Sequence, residues 1–154
     1  MPAKPIPDNY PRVTPYLAID GAAAAIDFYR LAFGATERLR MPGPDGKIGH
    51  AEIDIEGALI MLADEYLPMN FRSPKTIGGS PVMIHMYVSD VDAFFKRANA
   101  SGAEVLREPT TQFYGDRSCT IKDPFGHVWS IATHVEDVSE EELKKRAAKL
   151  AAQS

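Results

Sequence analysis

Histidine is the side chain best suited to act as acid, base or metal ligand near neutral pH, and this sequence has four: His50, His85, His127 and His134. His85 lies in Met83-Ile84-His85-Met86-Tyr87, a stretch with the residue types of a strand, so its side chain shares a face with Met83 and Tyr87. It is the leading candidate for a catalytic residue, with Tyr87 or Tyr16 as a hydroxyl donor. The plainer alternative is a histidine satisfied within a sheet. His50 and Glu52 stand two apart in an alternating run and point the same way. Together with His85 they could form a two-histidine, one-carboxylate site for a divalent metal such as Zn, Ni, Fe or Mn, or they could simply face solvent on an edge strand. His127 falls in a turn and His134 after the last strand, and both are expected to be exposed.

Four other side chains carry possible chemistry. Asp116 and Arg117 follow Gly115 and could pair with each other, close over a ligand or bind an anionic group. Tyr114, beside Phe113, could stack on an aromatic ligand or cover the end of a core. Cys119 is the one cysteine, which excludes an intramolecular disulfide, and it reads as a small buried apolar residue.

Elements that could position these groups are legible from turn chemistry and periodicity. Asp123-Pro124-Phe125-Gly126 is a tight turn between two short strands, and Glu56-Gly57 separates His50–Ile55 from Ala58–Leu62 in the same manner. The two hairpins suggest two copies of one unit. In the first copy, Val13–Ile19 reads as a strand, Asp20 as a cap, Ala22–Phe33 as an alanine-rich helix ended by Gly34, and Thr36–Arg40 as a second strand. In the second copy, Val82–Val88 is a strand and Asp90 leads into a helix through Ala100, with Phe94, Phe95 and Ala98 inward. Gly102 ends that helix and Glu104–Arg107 is the next strand.

This gives an α+β chain of two βαβββ modules. Residues 1–11 form an extended proline-rich arm, 12–63 the first module, 64–81 a linker, 82–135 the second module and 136–154 a C-terminal helix, all within one structural domain. At 154 residues, 45% apolar and 25% charged, the composition is that of an ordinary globular protein. A net charge of −4 provides no basic surface for nucleic acid. No apolar run approaches the roughly 18 residues of a membrane span and no signal pattern opens the chain, so a cytoplasmic location is expected.

Ile26-Asp27-Phe28-Tyr29 with Phe33-Gly34, and Asp123-Pro124-Phe125-Gly126-His127, resemble the first-helix and turn signatures of the vicinal oxygen chelate superfamily. Its members include glyoxalase I, extradiol dioxygenases and the bleomycin- and fosfomycin-resistance proteins. Val13-Thr14-Pro15-Tyr16, Gly49-His50-Ala51-Glu52 and Phe113–Arg117 are most similar to its PhnB-like, or glyoxalase-like, subgroup. The resemblance covers residues 12–134. It implies a cupped mixed β-sheet with helices on its outer face, and in metal-dependent members one ligand from the first and one from the last strand of each module. Those positions fall on Thr14, Met61, Met83 and Ser130, none of which offers histidine nitrogen or carboxylate oxygen, so no cofactor is expected there.

Strand parity then lines a cavity with Thr14, Tyr16, Met61, Met83, Tyr87 and Ser130, and Tyr114 and Arg117 are further candidate ligand-binding residues. The expected function is binding of a small apolar or aromatic molecule by a homodimer. The alternative is a metal-dependent lyase, isomerase or dioxygenase on His50, Glu52 and His85.

Overall fold

A computed structural model describes residues 2–154. The chain divides into two compact units, Met1–Ser80 and Pro81–Ser154. The first contains β1 (Tyr16–Ile19), α1 (Ala22–Phe33), β2 (Thr36–Pro42), β3 (Ile48–Ile55), β4 (Ala58–Asp64) and the single-turn helix α2 (Pro74–Ile77). The second contains β5 (Met83–Tyr87), α3 (Val91–Ala100), β6 (Glu104–Thr111), β7 (Asp116–Lys122), β8 (Val128–His134) and α4 (Glu140–Ala151). The four-stranded sheets have the orders β1-β4-β3-β2 and β5-β8-β7-β6. In each, the first strand runs parallel to the last and the remaining pairs are antiparallel. These are the two βαβββ modules of an α+β fold that the repeated pattern predicts.

Local chemistry explains where strands begin and end. β1 starts at Tyr16 rather than Val13, because Pro15 has no N–H to give and contributes only its carbonyl, which accepts from Met61 N at 3.0 Å. Thr14 therefore precedes the strand. β6 runs on to Thr111 instead of ending near Arg107, since Thr110 and Thr111 pair with Ser118 and Arg117 beyond two irregularities in register.

α1 buries Ala22, Ala25, Ile26, Tyr29, Ala32 and Phe33 against the sheet and ends at Gly34, whose φ of 69° is the left-handed cap expected of glycine. Its start differs from expectation. Asp20 makes no cap; Asp64, at the end of β4, accepts from Gly21 N (3.1 Å) and Ala22 N (2.9 Å) with one oxygen and from Ile48 N (2.7 Å) with the other. A carboxylate from a distant strand thus serves the helix N-terminus and its macrodipole.

α3 behaves more simply. Asp90 accepts from Ala93 N at 3.0 Å. Val91 and Ala98 form its buried side, while Phe94 and Phe95 are only half-buried.

The stretch 64–81 has more structure than its many prolines and glycines suggest. Tyr66 and Phe71 exchange backbone hydrogen bonds at 2.8 and 3.1 Å, closing a small loop over Leu67–Met69. Glu65 then accepts from Ser73 N (2.8 Å) and from the Thr76 hydroxyl (2.7 Å), tying the loop to α2. Side-chain acceptors organise this segment, which is why hydrophobic periodicity does not reveal it.

In the second unit, Asp123 is 3% exposed and organises the hairpin turn. One of its oxygens accepts from Phe125 N (2.9 Å) and His127 N (3.0 Å), and the other from the Trp129 indole at 2.9 Å. Trp129 and Ile131 enter the core beside Cys119 and Ile121. Burial raises the pKa of the Cys119 thiol, the environment of an inert cysteine.

Candidate functional site

Residues directly opposite on neighbouring strands share a face, so the register settles which way the His50 strand points. Tyr16 pairs with Met61, Met61 with Glu52, and Glu52 with Leu39. The intervening row, Leu17, Leu62 and Ala51, is buried on the opposite face with Ile53 and Ile55. His50 and Glu52 consequently stand on the same face as Tyr16 and Met61.

On that face four side chains form one hydrogen-bonded chain. The Tyr16 hydroxyl and His50 Nδ1 are 2.6 Å apart, and His50 Nε2 lies 2.9 Å from Glu52 Oε2. The Tyr10 hydroxyl, from the N-terminal arm, donates to Glu52 Oε1 at 2.9 Å and Oε2 at 3.2 Å. Arg38 lies over the Tyr10 ring, 5.6 Å from its centre.

Glu52 is 3% exposed. Burial works against its charge, but hydrogen bonds from His50 and Tyr10, with the nearby Arg38, outweigh it and hold the carboxyl below its ordinary range. Burial, then the Glu52 charge, raises the Tyr16 phenol. The hydrogen bond to Glu52, followed by burial, does the same to Tyr10. At neutral pH the chain therefore consists of an ionised Glu52 and two intact phenols.

Tyr16 is also the point where this chain meets open space. A cleft of about 890 Å³ is bounded by the Pro44–Gly49 turn on one side and the Glu65–Phe71 loop on the other. Its apolar wall includes Tyr16, Ile48, Tyr66, Leu67, Met69 and Phe71. Lys47, Asp64 and Glu65 add charge, and hydrogen bonds from Ser73 and Thr76 hold the Glu65 carboxyl below its usual range. Phe71 meets the Tyr16 ring edge-on at 5.6 Å. The loop residues could not be recognised from sequence, because their role comes from the Tyr66–Phe71 closure rather than from a motif.

The second unit carries a polar face of its own. His85 pairs with Ser130, Ser130 with Thr120, and Thr120 with Arg107, a row matching Tyr16, Met61, Glu52 and Leu39 in the first unit. His85 Nδ1 lies 2.9 Å from the Ser130 hydroxyl, and its ring meets Tyr87 edge-on at 4.9 Å. Tyr87 donates to Asp116 at 2.7 Å, which raises its pKa, and the other Asp116 oxygen contacts His134 Nδ1 at 2.8 Å. His134 Nε2 reaches Asp137 at 2.8 Å. His134 is exposed, as expected, yet it belongs to a network that a position after the last strand did not suggest.

Asp116 and Arg117, expected as a possible pair, point to opposite faces because they are successive residues of β7. Arg117 donates instead to Asp92 on α3, at 2.8 and 2.9 Å, and this lowers the Asp92 pKa. Tyr114 packs edge-on against Phe113 in the loop before β7 and is 43% exposed.

The same register bears on metal binding. Met61 stands beside Tyr16 and Ser130 beside His85, whereas Met83 pairs with Val128 and Thr14 lies before β1. None of Thr14, Met61, Met83 and Ser130 is a ligand type suited to a divalent ion. His50 has both ring nitrogens engaged, by Tyr16 and Glu52. Among the described residues no three His, Cys, Asp or Glu side chains converge on a metal-sized site.

Two sheets of order β1-β4-β3-β2 type, each backed by a helix, define a paired-βαβββ protein with a cleft at the edge of its first sheet. The sequence profile of the Glyoxalase/Bleomycin resistance protein/Dioxygenase superfamily matches residues 12–131, and the chain belongs to that family. The uncharacterized protein Mb0911c of Mycobacterium bovis is 45% identical over 137 residues, 87% of this chain and 90% of that protein. TioX from Micromonospora sp. ML1 superposes with a TM-score of 0.65 at 26% identity, over 82% of this chain and all of its own. The PhnB protein from Bacillus cereus does so with a TM-score of 0.62 at 18% identity, over 80% of this chain and 99% of its own, a likeness of fold. No described helix is long and apolar enough to cross a membrane.

Proposed function

We propose that this protein binds a small apolar or aromatic molecule in the cleft beside Tyr16. One observation carries the reading: an open space of about 890 Å³ walled by aromatic and aliphatic side chains, with few polar groups at fixed positions. A pocket of this size and lining suits an organic ligand of drug-like dimensions. Tyr16, Tyr66 and Phe71 supply rigid aromatic surface, and Met69 and Leu67, both well exposed, have apolar area to cover. Shape complementarity is sufficient for sequestration, so no bound metal is required.

The test is a thermal-shift screen with small aromatic compounds. A ligand present at a hundred times its Kd stabilises the folded protein by about 2.7 kcal/mol. The expected stabilisation disappears in Phe71→Ala and Met69→Lys. A screen in which no aromatic compound raises Tm overturns the proposal.

The same proposal includes membership of the PhnB-like subgroup, a cytoplasmic location and a homodimer. The contact between His50 and Glu52 favours one competing reading, a metal-dependent lyase, isomerase or dioxygenase using those residues with His85. Near-stoichiometric Zn, Ni, Fe or Mn in the purified protein, lost in His50→Ala, would favour that enzyme.

A further inference from the structure

Tyr16 lines the cleft, and its hydroxyl is already committed to His50, whose other ring nitrogen faces the buried Glu52; that commitment has a direction. Glu52 is acceptor-only when ionised, so the His50 nitrogen facing it, Nε2, carries the ring's hydrogen in the neutral imidazole. Nδ1 is then a bare acceptor. The only hydrogen available for the 2.6 Å contact is the phenolic one, so Tyr16 donates to His50. Its oxygen is left with lone pairs alone to offer to the cleft. Tyr10 reinforces the polarity from behind, because it also donates to Glu52 and keeps that carboxylate occupied as an acceptor.

We infer that Tyr16, oriented by His50 and Glu52, makes the cleft select ligands that donate a hydrogen bond, so that its ligand class is a hydroxylated aromatic, a phenol in preference to the matching ether or ketone. The inference rests on the cleft being the ligand site. Aromatic character follows from Phe71, edge-on to the Tyr16 ring, and from Tyr66 on the adjoining loop. The hydroxyl follows from the phenolic oxygen that Tyr16 brings to this wall. A ligand with only an acceptor would meet lone pair against lone pair, or would have to take the Tyr16 hydrogen and leave His50 Nδ1 without a partner. Tyr16 is thus a specificity residue that touches the ligand, while His50 and Glu52 position it.

Three naphthalene probes separate the possibilities: 2-naphthol, 2-methoxynaphthalene and 2-acetylnaphthalene, titrated into the full-length protein at mildly alkaline pH. The expected result is that 2-naphthol binds about tenfold more tightly than its methyl ether, the weight of one well-formed hydrogen bond. Tyr16→Phe should bring 2-naphthol down to the level of the ether and leave the ether unchanged. His50→Leu, which frees the phenolic hydrogen, should raise affinity for 2-acetylnaphthalene. Should His50→Leu fail to fold, Tyr16→Phe carries the test alone. Equal affinity for 2-naphthol and its ether, or a 2-naphthol advantage that survives in Tyr16→Phe, overturns the selection while leaving the cleft as a binding site. If none of the three probes shifts the amide resonances of Leu67 and Met69, the cleft reading fails and the selection falls with it.

Discussion

His134 and Asp116 form an ion pair whose two halves respond to opposite ends of the pH scale. Hydrogen bonds to Asp116 and Asp137 raise the His134 pKa above its ordinary value near 6.5. Its stabilising contribution is therefore complete below that value and is lost as pH rises through the higher folded one. Burial opposes the Asp116 charge, but His134 and Tyr87 bind it more strongly and hold its pKa low, so its contribution is present above the ordinary value and lost as pH falls through the folded one. Unfolding midpoints should decline on the alkaline side of pH 6.5, and His134→Gln should flatten that decline when melting is followed by circular dichroism. Asp123 presents a different case, a buried carboxylate serving two amides and an indole. Asp123→Ala should cost about 3 kcal/mol in denaturant unfolding.

Elements are joined in this protein by polar residues placed at their ends. Asp64 closes β4, begins α1 and holds the first residue of β3, so one side chain locks three elements at the cleft wall. Asp64→Ala is expected to destabilise by about 2 kcal/mol, with Asp64→Asn intermediate, because an amide oxygen can still accept from the helix N-terminus but without the charge. The loop before β7 depends on backbone shape. Gly115 has a φ of 100°, its carbonyl accepts from Val135 N and Glu136 N, and a Cβ there would collide with the Glu136 carbonyl oxygen. Gly115→Ala should cost more than about 2 kcal/mol by the same unfolding assay and should free the segment leading to α4, measured as faster amide exchange at Val135 and Glu136.

At the scale of the whole molecule, the duplicated module carries different chemistry on equivalent rows. The first unit sets Tyr16, Met61 and Glu52 side by side, and the second sets His85, Ser130 and Thr120. The cleft beside Tyr16 is built on the first copy, so the two copies share an architecture and differ in the chemistry they present. The homodimer proposed above should appear in light scattering as twice the 16.9 kDa chain mass, and a monomer at micromolar concentration would count against it.

The sequence by itself determined the two modules, because helix and strand periods, capping glycines and turn residues are local properties. Ala22–Phe33 before Gly34 and Asp123-Pro124-Phe125-Gly126 could be read directly. It also placed His50 and Glu52 on a common face, since strand parity needs only two residues. What it left open was every contact whose partner lies across the sheet or on a returning loop. Tyr16 met His50, Tyr10 met Glu52 and Asp64 replaced Asp20 at a helix start only through the register of β1, β3 and β4. Arg117 found Asp92 because alternation in β7 turned it towards α3, away from Asp116. The cleft needed the closure of Tyr66 on Phe71, in a stretch without hydrophobic period. Local patterns encode elements, whereas a site is an agreement among residues distant in the chain, and that agreement exists only once the strands have taken their register.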